Sequence, residues 1–267
     1  MAVACKMIDK IIYTMMLLAT VIYLDCGSCL VHPFALYRSG LLSSSLTPSQ
    51  TGGVVWFTLS FMWLKFAAMW RFGRCWAMLD GIDVPENMLR VWNNNYSIRG
   101  FWKGWHSSFN KWLVTYIYVP SGGRNSRCIS VGLVFGFVAI WHDVEPKLLM
   151  WGGLNALFFI VEAYVAGFWR EYKRRESLSE AAFSTRITEA ASGATFIFVL
   201  MFVNALGYGV GISGTGYILS VMTEWSSLRY LAGSFLAFLG AAMVMLELRK
   251  IEQTWDWAEQ KVKTVES

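Results

Sequence analysis

Apolar residues gather in runs at 7–24, 53–70, 128–141, 148–169, 191–208 and 230–248, separated by polar and mostly basic connections. About 20 apolar residues are needed for a helix to cross a bilayer's hydrocarbon, so the pattern predicts about six spans or hairpin arms. The run at 128–141 is short and is expected to be re-entrant or to stop inside the bilayer. Its Gly132-x-x-x-Gly136 pair is expected to let a neighbouring helix come close. The first run carries Asp9 and Lys10, and no small-x-small cleavage site follows cleanly, which favours a retained anchor over a signal peptide.

Between Pro85 and Tyr116 the pattern changes. Ile98, Phe101, Trp102, Trp105, Phe109, Trp112, Leu113 and Tyr116 recur at helical spacing, with Arg99, Lys103, His106 and Asn110 on the other face. Such a stripe predicts one amphipathic helix lying in the interface or under a bundle, ended by Pro120, Gly122 and Gly123. The expected organisation is an N-terminal anchor and loop (1–52), a membrane domain (53–248) and a charged tail, helical or frayed (249–267).

Composition sharpens this picture. With 55% hydrophobic and only 15% charged residues in 267, the chain has too much apolar surface for one water-soluble core, so it is read as an all-α, polytopic membrane helical bundle. The net charge of +5 lies mostly in loops beside apolar runs, where it sets topology or meets anionic lipid, and no nucleic-acid partner is expected. The basic stretches at 71–127, 170–186 and after 249 fall on one side if the spans alternate, and a cytosolic side follows from their charge. The sequon Asn95-Tyr96-Ser97 lies on that side, so no glycan is expected there.

Candidate chemistry is sparse. His142 stands where a short apolar run gives out, an expensive place for an ionisable ring. It is read as a general base held neutral in a low-dielectric site, or as a ring that caps a helix at the turn of Asp143 and Pro146. His106 shares its polar face with Lys103 and Asn110, which spacing alone reads as the wetted side of an interfacial helix. Asn155 and Glu162 are seven residues apart on one helix and either line a cavity or bond neighbouring helices. Cys26-Gly-Ser-Cys29 with His32 is read as a local disulfide or free thiols. The glycine-rich stretch from Gly209 to Gly214 lacks a βαβ frame and is read as part of a flexible loop at 207–229. With no nucleophile elbow, Walker loop or paired metal motif, a catalyst here is expected to transfer a group directly, base-assisted, without an obvious covalent nucleophile, and no metal or cofactor is expected.

Several motifs in one order, MLDGIDVPENMLRVWNNNYS, FWKGWHSSFNKWL, YIYVPSGG and FVAIWHD followed by WGGLNALFF, resemble the membrane-bound O-acyltransferase family. The likeness is strongest to its Gup branch, the proteins named for glycerol uptake and related to Hedgehog acyltransferase. It implies a helical membrane fold with a buried chamber, an acyl-CoA donor as co-substrate, and a lysolipid or glycosylphosphatidylinositol lipid as acceptor in the endoplasmic reticulum. The family's near-invariant histidine maps onto His142 as general base, and its second polar position onto His106, which positions the acceptor or stabilises charge. Trp105, Asn110, Asn155 and Glu162 are expected to contact substrate. Family members are longer and carry more spans ahead of these motifs, so the chain resembles a C-terminal or shortened member. A non-catalytic membrane scaffold and a glycerol transporter are the alternatives, the latter without the inverted halves of transporters.

Overall fold

A computed structural model describes residues 15–16, 46–180 and 182–266. The first apolar run and Cys26, Cys29 and His32 lie essentially outside the described residues. Helix α1, Pro48–Leu79, opens on a capping box in which Thr47 and Gln50 satisfy each other's backbone donors. Two seven-residue helices follow an irregular connection: α2, Ile98–Gly104, and α3, Ser107–Leu113, the latter continued by a π-helical turn at Val114–Tyr118. Then come α4, Arg127–His142, α5, Pro146–Arg175, and α6, Phe183–Asn204, which ends in a second π-helical turn at Ala205–Gly209. Helix α7, Gly211–Met222, and the long α8, Leu228–Glu266, complete the chain. Four helical stretches among the described residues are long and apolar enough to span a membrane: Pro48–Leu79, Pro146–Arg175, Phe183–Gly209 and Trp225–Thr254. Arg127–His142 is apolar but shorter. The expected all-α membrane bundle is thus borne out.

Three local expectations are corrected. The amphipathic stripe is not one helix; it breaks at His106, whose backbone is left-handed (φ 46°, ψ 58°). The break is held open by the connection before it, because the backbone of 86–89 takes the hydrogen bonds a continuous helix would have used. Leu89 N–H donates to Gly104 O at 3.0 Å, Ser107 N–H to Asn87 O at 2.9 Å and Ser107 Oγ to Glu86 O at 2.8 Å. After the break α3 runs back along α4 as a hairpin arm, with Phe109 against Trp141 and Trp112 against Phe137. Second, a Cβ added at Gly132 or Gly136 meets nothing within 4 Å. The tight seam is on the adjoining stripe of α4, where a Cβ at Gly152 of α5 would stand 2.8 Å from Ala139 Cβ and 2.9 Å from Phe135 O. Third, the stretch 207–229 is mostly helix. Gly214 and Thr215 are buried and the Thr215 hydroxyl donates to Gly211 O, so packing outweighs the poor helix propensity of three glycines.

The basic stretches meet at one end of the bundle. Arg90 pairs with Glu252 through two 2.7 Å bonds, Arg249 donates to Asn94 O at 2.7 Å, and Arg186 pairs with Glu247 at 2.8 Å. Asn95 is buried, its amide donating to Val91 O and Trp92 O.

Candidate active site

A cavity of about 830 Å³ runs between α1, the broken α2–α3 segment, α4, α5 and the end of α6. His106 and His142, some thirty-six residues apart in sequence, both line it. Two rings join them: His106 lies 5.2 Å from Phe109, Phe109 4.8 Å from Trp141, and Trp141 4.9 Å from His142, measured between ring centres. His142 is the last residue of α4 and also meets Trp151 at 5.9 Å and Tyr208 at 5.5 Å edge-on. Its nitrogens have no hydrogen-bond partner among the described residues, so it is not a capping ring at the Asp143 turn.

His106 is held differently. Its ring lies 4.3 Å from that of Trp70, and its Nδ1 is 3.3 Å from Asn87 Oδ1. A left-handed backbone costs a non-glycine residue about 1–3 kcal/mol and persists only where the surroundings impose it, a pattern concentrated at functional sites. His106 lies outside the four spanning helices. Burial pushes its imidazole below the usual histidine range, and the nearby His142 adds to the shift.

The lining is apolar and aromatic except for a few groups. Trp105 and Asn110 belong to it. Arg99, Lys103, Arg124, Arg127 and Arg170 also line it, and no aspartate or glutamate does among the described residues. Arg127 and His142 sit at opposite ends of α4, about 22 Å apart at 1.5 Å per residue, so the cavity has a basic end and a histidine end. Tyr164 of α5 lies 3.8 Å from Cys128, which brings the Arg170 end of α5 to the Arg127 end of α4.

Asn155 and Glu162 are buried but outside the lining, and both are spent on structure. Asn155 accepts from Trp102 Nε1 at 3.0 Å and donates to Trp151 O, while Glu162 accepts from the Arg99 N–H at 2.9 Å at the start of α2. Expectation missed Tyr208 and Asn204. Asn204 lines the cavity and accepts from Trp151 Nε1 at 3.2 Å; the hydroxyl of Tyr208 is buried without a hydrogen-bond partner. Their signal in sequence was a polar residue and an aromatic among glycines at the end of an apolar run. Among the described residues no group of three His, Cys, Asp or Glu side chains is placed to hold a metal ion.

The fold and the site define a class of integral membrane helical bundle that holds a large aromatic cavity lined by two histidines. The pattern described as "MBOAT, membrane-bound O-acyltransferase family" matches residues 10–203, and the chain belongs to that family. It is 41% identical over 209 residues to the membrane-bound O-acyltransferase GUP1 of Saccharomyces cerevisiae, covering 78% of this chain and 36% of that protein. With GUP2 of the same yeast it shares 39% over 208 residues, covering 78% and 33%. The mouse protein-cysteine N-palmitoyltransferase HHAT is 28% identical over 140 residues, covering 51% and 28%. The chain thus spans about a third of the length of these relatives.

Proposed function

We propose that the chain transfers a fatty acyl group from acyl-CoA to a hydroxyl of a lipid acceptor, with His142 as general base. The observation that carries this reading is the convergence of both histidines on one apolar cavity that also has a basic end. An imidazole with no protein partner is free to take the proton of an alcohol. The alkoxide then attacks the thioester carbonyl, a C–O ester bond forms, the C–S bond breaks, and the thiolate leaves and is protonated. The aromatic walls suit an acyl chain, and Arg124, Arg127 and Arg170 suit the phosphates of the donor. Trp105 and Asn110 line the path of the substrates. The names of the yeast relatives support O-acyl transfer, and a lysolipid or glycosylphosphatidylinositol lipid of the endoplasmic reticulum membrane is the proposed acceptor.

Purified protein given radiolabelled acyl-CoA and a lysolipid is expected to form an acylated product, and His142→Ala to lose at least a hundredfold in rate at an unchanged protein level. Transfer that survives the substitution refutes the base assignment. No transfer from the wild-type chain favours the scaffold reading.

A further inference from the structure

Asn87 Oδ1 sits at the centre of the His106 break. It receives the backbone N–H of Ser108 at 3.0 Å and the Ser108 hydroxyl at 3.0 Å, and it faces His106 Nδ1 at 3.3 Å. A backbone N–H only donates, so the atom it meets is the amide oxygen and not the amide nitrogen. That oxygen only accepts, and therefore the imidazole nitrogen facing it carries the hydrogen. The Ser108 oxygen agrees: its own hydrogen goes to Asn87, and it stands 3.5 Å from the same Nδ1 with only lone pairs to offer.

A neutral imidazole bears one hydrogen, so with Nδ1 protonated the lone pair is on Nε2. Nε2 has no hydrogen-bond partner among the described residues, and the ring lines the cavity. Asn87 itself is firmly held. Its carbonyl accepts from Ser107 N–H at 2.9 Å, its N–H donates to Glu86 Oε1 at 3.2 Å, and Glu86 is paired with Arg71 at 3.1 Å.

We propose that Asn87 is a positioning residue that locks His106 in the Nδ1–H tautomer, so that the cavity is offered Nε2 as a hydrogen-bond acceptor. Resting on the acyl-transfer reading, this gives His106 a defined part. It accepts from a donor of the bound substrates other than the reacting O–H, and so orients them for attack, and it does not donate to the thioester carbonyl. The single proton of the reacting hydroxyl goes to His142, two helices away.

The test is nitrogen NMR on the full chain in micelles with ¹⁵N-labelled histidine, the His106 signals being identified by their loss in His106→Gln. Wild-type His106 is expected to show a protonated Nδ1 and an unprotonated Nε2. Asn87→Ala is expected to shift it toward a tautomer mixture, and Asn87→Asp, which keeps an acceptor oxygen in place, to retain the Nδ1–H signature. In transfer assays Asn87→Ala is expected to lower kcat about a hundredfold with the KM for acyl-CoA unchanged. A wild-type signal with Nε2 protonated, or a His106 signal unmoved in Asn87→Ala, overturns the proposal. If the wild-type chain transfers nothing, the acyl-transfer reading fails, and the NMR result still decides the tautomer. Should Asn87→Ala not fold, the wild-type and Asn87→Asp spectra decide it.

Discussion

His106 carries more of the site than its place on a polar helix face implied. A helical stripe assigns each residue to a face, and by that logic His106 belonged with Lys103 and Asn110 on the wetted side. What the stripe cannot register is the left-handed backbone, which turns the ring between Trp70 and Phe109 and into the cavity. The consequence is a pH prediction. Burial and the neighbouring His142 both disfavour the charged ring, and no carboxylate lines the cavity among the described residues to oppose them. His106 therefore stays neutral as pH falls past the ordinary value of 6.5, and becomes charged only below it. Transfer that needs this lone pair is expected to hold from pH 7 down through 6.5 and to fall only at more acid pH, read as kcat/KM against pH. An acid limb centred above 6.5 contradicts the assignment. Asn155 and Glu162 show the opposite case. Their spacing on one face of α5 was visible, but which partners they meet depends on the Trp102 indole and the Arg99 N–H brought in by the α2 segment.

At the scale of elements, the seam between α4 and α5 holds His142 in place, because α4 ends at that residue. The sequence offered Gly132 and Gly136 as its close-packed positions, and periodicity could not tell which face of α4 would meet a neighbour. Gly152 does that work from α5, beside Ala139 and the Phe135 carbonyl. Gly152→Ala is expected to destabilise the protein by about 1–3 kcal/mol, since one contact is with backbone that cannot swing aside. Gly136→Ala, with open space around it, is expected to be neutral or to stabilise by up to about 1 kcal/mol through helix propensity. Thermal unfolding of the two variants in the same detergent measures the contrast, and equal effects would place the seam elsewhere. The positions of α1, α5, α6 and α8 were legible because a span must satisfy its own backbone in lipid, although the helices extend beyond the apolar runs that marked them. The break between α2 and α3 was not, since it is stabilised by the 86–89 backbone across a gap in sequence.

Across the whole molecule, charge sorts the two ends. Arg90 with Glu252, Arg249 with Asn94 and Arg186 with Glu247 bring three stretches distant in sequence to one end, in accord with alternating spans. Each exposed pair contributes little by itself, about 0–1 kcal/mol, so the agreement speaks for topology more than stability. In a chain cleared of native cysteines, cysteines placed at Asp83 and Glu176 are expected to react with a membrane-impermeant thiol reagent from one side of the membrane. A cysteine at Glu224, just ahead of the start of α8 and so at the other end of that helix from the Arg249 contacts, is expected to react from the other. Labelling of all three from the same side refutes the arrangement. The histidine end of the cavity lies toward the Glu224 side, where His142 meets Tyr208 ahead of α7.

Sequence alone determined that this is a helical membrane protein, where its apolar runs lie, which end is basic and, through ordered motifs, its family, with His106 and His142 as the candidate residues. These follow from local quantities: hydropathy over twenty residues, the sign of charge in loops, and the spacing of motifs. Only the tertiary structure decided that His106 and His142 share one cavity, that Asn155 and Glu162 are spent holding helices together, and that Asn87 governs a ring nineteen residues away. Those outcomes depend on which backbone groups find partners across the fold, and a hydrogen bond between distant segments leaves no period along the chain.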